Sequence, residues 1–281
     1  MTTTPGAAPS GGPSAGADGP AERPALPARR PVTVRGTTLG GPRPAVVVPV
    51  TATEPDTLRA EAAAAAAARP DVVEWRADHL AAGVADPTAV ARAALVVRDA
   101  VGDLPLLVTV RTTAEGGHAD VEGDAYAAPL LAVLATGAAD LLDVEVARDP
   151  ATVRRLLDAA HAAGVPVVGS SHDFAGTPSR DALVGRLLAM ADLGADVLKV
   201  AVTPHDPDDV LTLLAATLDA SRRTDRPLVT MAMGPLGVVS RVGGGVFGSA
   251  ATFGTVGAAS APGQVRLGAL RAALDVVHGP A

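Results

Sequence analysis

The chain contains no cysteine among its 281 residues, which excludes disulfides, thiolate nucleophiles and cysteine-ligated metals. Aromatic residues make up only 2% of the sequence, so a base-stacking platform for nucleic acid is not expected. The formal net charge of -7 argues against a nucleic-acid or anionic membrane partner. No run of about 18 or more apolar residues occurs, so we expect no membrane span.

Lysine is almost absent as well, because Lys199 is the only lysine among the 23 basic residues. It lies in the apolar run Ala195–Val202. In a sequence this rich in Arg and Ala, a retained lysine is expected where an amine is needed, since arginine neither deprotonates nor forms an imine. Burial on an apolar strand favours the neutral, nucleophilic form of an amine. The alternative is a leftover surface lysine on an edge strand.

Residues 1–30 consist mainly of Pro, Gly, Ala, Ser and Thr without periodicity. Such a segment has too little apolar surface to offset its ordering entropy, so we expect a disordered tail. A single catalytic domain is expected over residues 31–281. The start of the chain has no positive region followed by an apolar one, which argues against a secretory signal and favours a cytoplasmic location.

The remaining sequence alternates short apolar runs with Ala/Leu-rich helical stretches. The strand-like runs cover residues 45–50, 72–75, 106–110, 140–144, 165–169, 197–202, 228–231 and, less clearly, 249–253. The helical stretches lie near residues 55–69, 86–101, 122–137, 150–163, 179–193, 207–222, 235–243 and 264–278. Helix start signals include Asp149-Pro150, Thr177-Pro178-Ser179 and Asp206-Pro207.

Eight strand–helix units in roughly 250 residues indicate the α/β class and a (β/α)8 TIM barrel. A doubly wound sheet is the alternative, but it usually has fewer units and a ligand motif at its first turn. Residues 32–39 precede the first unit and are expected to form a short β-hairpin that caps the barrel floor. The segment Gly243–Gly248 matches G-x-G-x-x-G but does not open a βαβ unit, so we expect a flexible loop there.

Polar residues cluster where the predicted strands end. In a (β/α)8 barrel these carboxyl ends converge on one face, which carries the active site. The cluster comprises Glu74, Arg76, Asp78, Arg111, Thr112, Glu115, Asp143, Glu145, Ser170–Asp173, Lys199, Met231, Met233, Ser260 and Gln264. The pairs Glu74/Arg76 and Arg111/Glu115 could be internal ion pairs that tie strand ends together, but a functional role is favoured for them. For Asp143 and Glu145 a supporting or structural role is favoured.

Strand alternation places Val197, Lys199 and Ala201 on one face, and His172 lies one strand earlier. An amine beside a histidine is the arrangement needed for imine chemistry with proton transfer. The amine attacks a ketone, and the protonated imine acidifies the adjacent carbon. The histidine then removes that proton and later protonates a leaving hydroxyl. The other histidines show no metal-ligand spacing and are expected to be structural.

The motifs in this order resemble those of type I 3-dehydroquinate dehydratases, over residues 44–264. They are Glu74–His79, Arg111–Gly117, Asp143–Glu145, Ser171–Phe174 with Gly176–Pro178, Asp196–Val202, Met231–Gly234 with Gly237 and Ser240–Arg241, Phe247–Gly254 and Ala259–Gln264. One departure is Pro49, which stands where some relatives have a hydroxyl residue that touches substrate.

The resemblance implies dehydration of 3-dehydroquinate to 3-dehydroshikimate in the shikimate route to aromatic amino acids. Lys199 would form the imine, His172 would be general base and then acid, and Glu115 would orient it. The substrate carboxylate would meet Arg241, and the ring hydroxyls would meet Glu74, Arg76 and Arg111. Ser260 and Gln264 would come from a closing loop, and the apolar walls would be Met231, Met233 and Phe253. No metal or cofactor is implied, and the family is often homodimeric.

Two other functions are compatible with parts of this pattern. A class I aldolase of a sugar phosphate would also form an imine in a barrel, but no clear phosphate-binding glycine turn follows the seventh and eighth strands. A non-catalytic binding protein could retain the barrel, although both Lys199 and His172 are present. An aldol-cleavage assay and a Lys199→Ala variant distinguish these alternatives from the dehydratase.

Overall fold

A computed structural model of the chain describes residues 1–3, 30–257 and 260–280. Most of the predicted tail, residues 4–29, lies outside the described residues. Within the described ranges, no helix combines the length and the apolar character that crossing a membrane requires.

The described residues form a (β/α)8 barrel, which confirms the predicted fold class. Its eight parallel strands are β3 (Ala45–Val50), β4 (Val72–Arg76), β5 (Leu106–Thr109), β6 (Leu141–Glu145), β7 (Val167–Asp173), β8 (Val197–Val202), β9 (Leu228–Ala232) and β10 (Ala251–Thr255). The barrel closes between β9 and β10, where the Ala250 amide donates to the Leu228 carbonyl at 2.6 Å. This closure excludes the doubly wound alternative.

Helices follow the barrel strands at nearly the predicted positions. They are α1 (Pro55–Ala67), α2 (Pro87–Val101), α3 (Gly123–Thr136), α4 (Pro150–Ala162), α5 (Arg180–Leu193), α6 (Pro207–Ser221), α7 (Val238–Gly243) and α8 (Leu267–His278). The start signals cap their helices as expected: Asp149, Ser179 and Asp206 each accept a backbone N–H of the first turn. Helix α8 begins later than predicted, because a short strand β11 (Val265–Arg266) first pairs with β10.

Side chains of β8 alternate between two layers, as predicted. Val197 and Ala201 pack in the barrel interior, whereas Leu198, Val200 and Val202 pack against α5 and α6. Because Lys199 is in phase with the first pair, its side chain is directed into the barrel.

The predicted N-terminal hairpin consists of β1 (Val32–Val34) and β2 (Thr37–Leu39), which pair antiparallel. Leu39 packs on barrel-interior residues near the strand starts, including Ala45 and Val72. The hydroxyl of Thr37 donates to the Asp71 carbonyl at 3.1 Å, just before β4. The hairpin therefore lies on the floor of the barrel, as predicted.

The expectation of a flexible loop at Gly243–Gly248 was wrong. Gly243 ends α7, and residues Gly244–Phe247 form a 3₁₀ helix. A Cβ at Gly245 would collide with Pro44 and His278, so this glycine permits close packing rather than mobility.

Candidate active site

A cavity of about 120 Å³ opens at the carboxyl ends of the strands. It brings together all the predicted site residues, which are Glu74, Arg76, Arg111, Glu115, His172, Lys199, Met231, Met233, Arg241, Phe253, Ser260 and Gln264. Strand ends supply most of these side chains, so the parallel barrel is what makes them converge.

Lys199 lies at the centre of the buried part of this cavity, with only 5% of its side chain exposed. Its Nζ atom donates to Asp143 Oδ2 at 3.0 Å and lies 3.7 Å from Glu74 Oε1. The ring of Phe253 lies 4.9 Å from the same nitrogen. The amine therefore has two carboxylate neighbours, whereas its apolar sequence neighbours point toward the helices.

His172 and Glu115 form a buried hydrogen-bonded pair. The Nδ1 atom of His172 lies 2.9 Å from Glu115 Oε2, and the His172 backbone amide donates to the same oxygen at 3.0 Å. Arg111 Nη1 donates to that oxygen as well, at 3.2 Å. Because Oε2 accepts these bonds, the imidazole donates through Nδ1, and its Nε2 atom is left as the proton acceptor.

The electrostatics of this pair suit a base. Burial, followed by the nearby Arg111 and Lys199 charges, holds the pKa of His172 well below its ordinary value. Burial also raises the pKa of Glu115 to about 7, against the lowering effect of Arg111. The imidazole is therefore neutral near neutral pH, and its carboxyl partner titrates there.

Arg111, just after β5, connects that part of the chain to β6 and β7 through its guanidinium group. Its Nη1 atom donates to Glu115, to Glu145 at 3.1 Å and to Ser170 at 3.0 Å, and Nη2 donates to Asp143 at 2.7 Å. The side chain lines the cavity, but these hydrogen bonds are all made within the protein. This arrangement favours the ion-pair interpretation over direct contact with a ligand.

Asp143 and Glu145, whose roles the sequence left open, differ in what they touch. Asp143 bridges Lys199 and Arg111 and also accepts from Ser170 at 2.6 Å. Burial acts to raise the pKa of Asp143, but these two cations outweigh it, so the pKa is lowered and the acid stays ionised. Glu145 instead accepts the amide and hydroxyl of Thr112, which supports the loop after β5.

Arg76 is paired with Asp78 rather than with Glu74. Two hydrogen bonds, of 2.8 and 2.7 Å, join the guanidinium to the carboxylate in a bidentate pair. Glu74 accepts a hydrogen bond from the Thr109 hydroxyl at 2.9 Å. Both Arg76 and Glu74 still line the cavity, so each retains a surface toward a ligand.

Arg241 differs from the other site cations because no carboxylate of the described residues forms a salt bridge with it. Only 2% of the residue is exposed, and its Nε atom has no hydrogen-bond partner among the described residues. Its Nη2 atom donates to the Pro262 carbonyl at 3.0 Å, and Nη1 lies 3.7 Å from Met231 Sδ. Burial lowers its pKa to about 10. An anionic ligand would supply the missing countercharge.

The segment after β10 covers one side of the cavity. Ser260 and Gln264 hydrogen-bond to each other twice, each bond 3.0 Å long. The carbonyl of Pro262 accepts both from Arg241 and from the Gly234 amide at 3.2 Å. Residues 258–259 lie outside the described residues. The loop is thus attached to the cation expected to bind the ligand.

Phe174 is a lining residue to which the sequence analysis gave no role. It is 46% exposed and packs against Gly116, where a Cβ would collide with the ring. Gly116 also has a φ of +77°, which favours glycine. The sequence contains only three phenylalanines, and Phe174 follows the predicted strand end at His172 and Asp173, which could have indicated a role in the cavity.

Comparisons with known proteins agree with this geometry. The family model described as Type I 3-dehydroquinase matches residues 46–280. The 3-dehydroquinate dehydratase of Klebsiella pneumoniae strain 342 is 44% identical over 247 residues, covering 88% of this chain and 98% of the relative. The corresponding protein of Lactiplantibacillus plantarum is 45% identical over 244 residues, covering 87% and 96%.

A solved structure is similar over the same region. The type I 3-dehydroquinate dehydratase of Clostridium difficile, crystallised with covalently modified comenic acid, superposes with a TM-score of 0.85 at 37% identity. The match covers 89% of this chain and 98% of that chain.

Proposed function

The chain belongs to the type I 3-dehydroquinase family of lyases, and from this premise we propose that it dehydrates 3-dehydroquinate to 3-dehydroshikimate. The observation that carries the proposal is the single lysine of the chain, buried in the same cavity as a neutral histidine and an arginine that pairs with no carboxylate of the described residues. This set combines a nucleophile, a base and an anion site.

The first step is formation of an imine on Lys199. Lys199 Nζ attacks the ketone carbon of the substrate, and two of its three ammonium protons leave with the carbonyl oxygen as water, while the third stays on the nitrogen. A protonated C=N bond results, which withdraws electrons from the adjacent carbon. Asp143 stays ionised beside Nζ, so it orients the amine and balances the positive charge of the iminium.

The second step is elimination assisted by His172. Its Nε2 atom takes the proton from the carbon next to the iminium, and the electron pair forms an enamine. The enamine then expels the hydroxyl at the next carbon, which leaves as water with the proton returned by His172. Hydrolysis of the remaining imine frees the amine. Glu115 accepts from Nδ1 and stabilises the imidazolium while it carries the proton.

The remaining cavity residues are assigned by their chemistry. Arg241 binds the substrate carboxylate, because a bidentate guanidinium–carboxylate pair would satisfy its buried charge. Glu74 and Arg76 contact the ring hydroxyls. We propose that Arg111 also contacts them, while it keeps its hydrogen bonds to Glu115, Glu145, Ser170 and Asp143. Ser260 and Gln264 close over the ring, and Met231, Met233 and Phe253 pack against its apolar face.

Reductive trapping tests the proposal directly. The protein is incubated with 3-dehydroquinate and borohydride, and the adduct is mapped by mass spectrometry after digestion. We expect modification of Lys199 and none in Lys199→Ala, with the terminal amine as an internal control. Turnover is followed through the absorbance of the enone product. An adduct confined to another position, or undiminished turnover by Lys199→Ala, would overturn the assignment.

The biological setting is proposed from the family alone. We place the enzyme in the cytoplasm, in the shikimate route to aromatic amino acids, as a homodimer with its catalytic domain over residues 31–281. Light scattering of the purified chain should give twice the chain mass. Proteolytic removal of residues before position 31 should leave turnover unchanged.

A further inference from the structure

Three side chains that do not line the cavity meet next to Arg76, which does line it. They are Asp78 and His79, in the 3₁₀ turn after β4, and His118, in the loop after β5. The two imidazole centroids lie 4.2 Å apart. Asp78 Oδ2 lies 3.5 Å from His118 Nδ1 and 4.0 Å from His79 Nε2. Each residue thus offers one ligand atom, all within 4.8 Å of one another.

The ring of His79 has an unused nitrogen at this point. Its Nε2 atom is buried and has no hydrogen-bond partner among the described residues. A ring nitrogen without a partner can offer its lone pair to a ligand. A buried polar atom without a partner is costly, and a ligand that accepts its lone pair would remove that cost.

The donor set selects a class of ligand. Imidazole nitrogens together with a carboxylate form a donor set that suits Zn²⁺, Ni²⁺ and Cu²⁺, whereas Mg²⁺ and Ca²⁺ prefer oxygen ligands alone. Metal–ligand bonds of about 2.0–2.2 Å require these atoms to approach to roughly 3.3 Å. The side chain of His118 is 62% exposed, so it can move toward Asp78 and His79 without disturbing the core.

We infer that Asp78, His79 and His118 form a binding site for one divalent transition-metal ion, with water completing its coordination. The site is separate from the residues that line the catalytic cavity. No metal-ligand spacing signals this site, because the two histidines lie far apart along the chain and meet only through the packing of β4 and β5.

Metal binding has a consequence for the cavity that rests on the proposed function. Asp78 Oδ2 also accepts from Arg76 Nη2 at 2.7 Å and from the His118 amide at 3.2 Å. A bound cation would compete with Arg76 for this oxygen and weaken the bidentate pair. Since Arg76 faces the substrate, the ion should raise KM more than it lowers kcat.

Calorimetric titration of the untagged, metal-free full chain with Zn²⁺ tests the site. We expect one ion per chain, and at least tenfold weaker binding in His118→Ala and His79→Gln. The Ala variant keeps the His118 backbone amide, so its fold is not at risk. His205→Ala, which removes another exposed histidine, should bind as the wild type.

Absence of binding, or equal affinity in wild type, His118→Ala and His79→Gln, would overturn the site. Steady-state kinetics with 3-dehydroquinate then tests the effect of metal binding on the catalytic cavity. We expect zinc to raise KM in the wild type but not in His118→Ala. An unchanged KM in zinc-saturated wild type would overturn the proposed effect of the metal on substrate binding. A chain that binds zinc at this site but does not dehydrate 3-dehydroquinate would refute the proposed function and leave the metal site standing.

Discussion

Asp143 holds the amine of Lys199 through one carboxylate oxygen, at 3.0 Å, and the guanidinium of Arg111 through the other, at 2.7 Å. Each of the three side chains is no more than 5% exposed. The expected nucleophile and the ion network around the expected base therefore share one buried acid. A change at this acid should disturb both the stability of the barrel and the position of the amine.

Replacing Asp143 with Asn should destabilise the fold strongly. Two buried cations would lose their shared countercharge, and breaking a buried ion pair costs about 3–5 kcal/mol. Urea unfolding measures the change in free energy. Asp99→Asn is the matched control, because Asp99 is 72% exposed in its pair with Arg59 and such a pair contributes about 0–1 kcal/mol. Equal effects of the two variants would contradict this role for Asp143.

Replacing His172 with Ala should slow turnover by about a hundred- to ten-thousand-fold, the usual range for loss of a general acid–base group. Imine formation needs only the amine and the ketone, so borohydride should still trap the substrate on Lys199. Mass spectrometry measures the adduct, and the enone absorbance measures turnover. His205→Ala should match the wild type in both. Loss of the adduct together with turnover would place His172 in imine formation instead.

Activity should rise with pH through a step near pH 7, because the pKa of Glu115 is raised to about 7. Below that pH the acid is neutral, and above it the carboxylate stabilises the imidazolium formed by His172. The pKa of His172 itself lies well below its ordinary value, so that ring is already neutral in this range.

The Glu115→Gln variant should lose this step and run at a low, pH-independent rate around neutrality, about a hundred-fold below the wild type. The pH profile of kcat/KM is the measurement, and it reports the coupled pair rather than either group alone. A step near pH 7 that persists in Glu115→Gln would assign the titration to another group.

The barrel could be predicted because its strands are apolar runs and its helices carry proline or capping residues at their starts. The inward direction of Lys199 followed from the period of two along β8, since Val197 and Ala201 share its face. His172 could be placed beside it because consecutive strands of a parallel barrel are neighbours.

The partners of the charged residues could not be predicted in the same way. Whether Arg76 pairs with Glu74 or Asp78 depends on the turn after β4, which no periodicity specifies. That Arg241 pairs with no carboxylate among residues 30–257 and 260–280 depends on every side chain packed around it, which spacing along the sequence does not specify. The glycines in Gly243–Gly248 are compatible with a flexible loop or with a tightly packed turn. The packed structure is known only from the close contact of Pro44 and His278 with Gly245.

Arg241 should lower the stability of the free protein while it enables binding, because its guanidinium is buried and no carboxylate in the described part of the chain pairs with it. The fall of its pKa from 12.5 to about 10 corresponds to a free-energy difference of roughly 3 kcal/mol that favours the neutral form of the guanidinium. Since the charged form is present at neutral pH, the folded state bears this cost. The Pro262 carbonyl keeps the Gly234 amide as a donor when the arginine is removed.

Arg241→Met should therefore be more stable than the wild type by about 2 kcal/mol, after allowing about 1 kcal/mol for the hydrogen bonds that are lost. The same variant should raise KM for 3-dehydroquinate about 10- to 150-fold, because a hydrogen bond to a charged group contributes about 1.5–3 kcal/mol. Urea unfolding measures the change in stability, and steady-state kinetics measures the change in KM. Arg241→Lys keeps a cation, so both its stability and its KM should lie between those of the wild type and Arg241→Met. A variant that lost stability and kept its KM would show that the guanidinium supports the fold rather than the substrate.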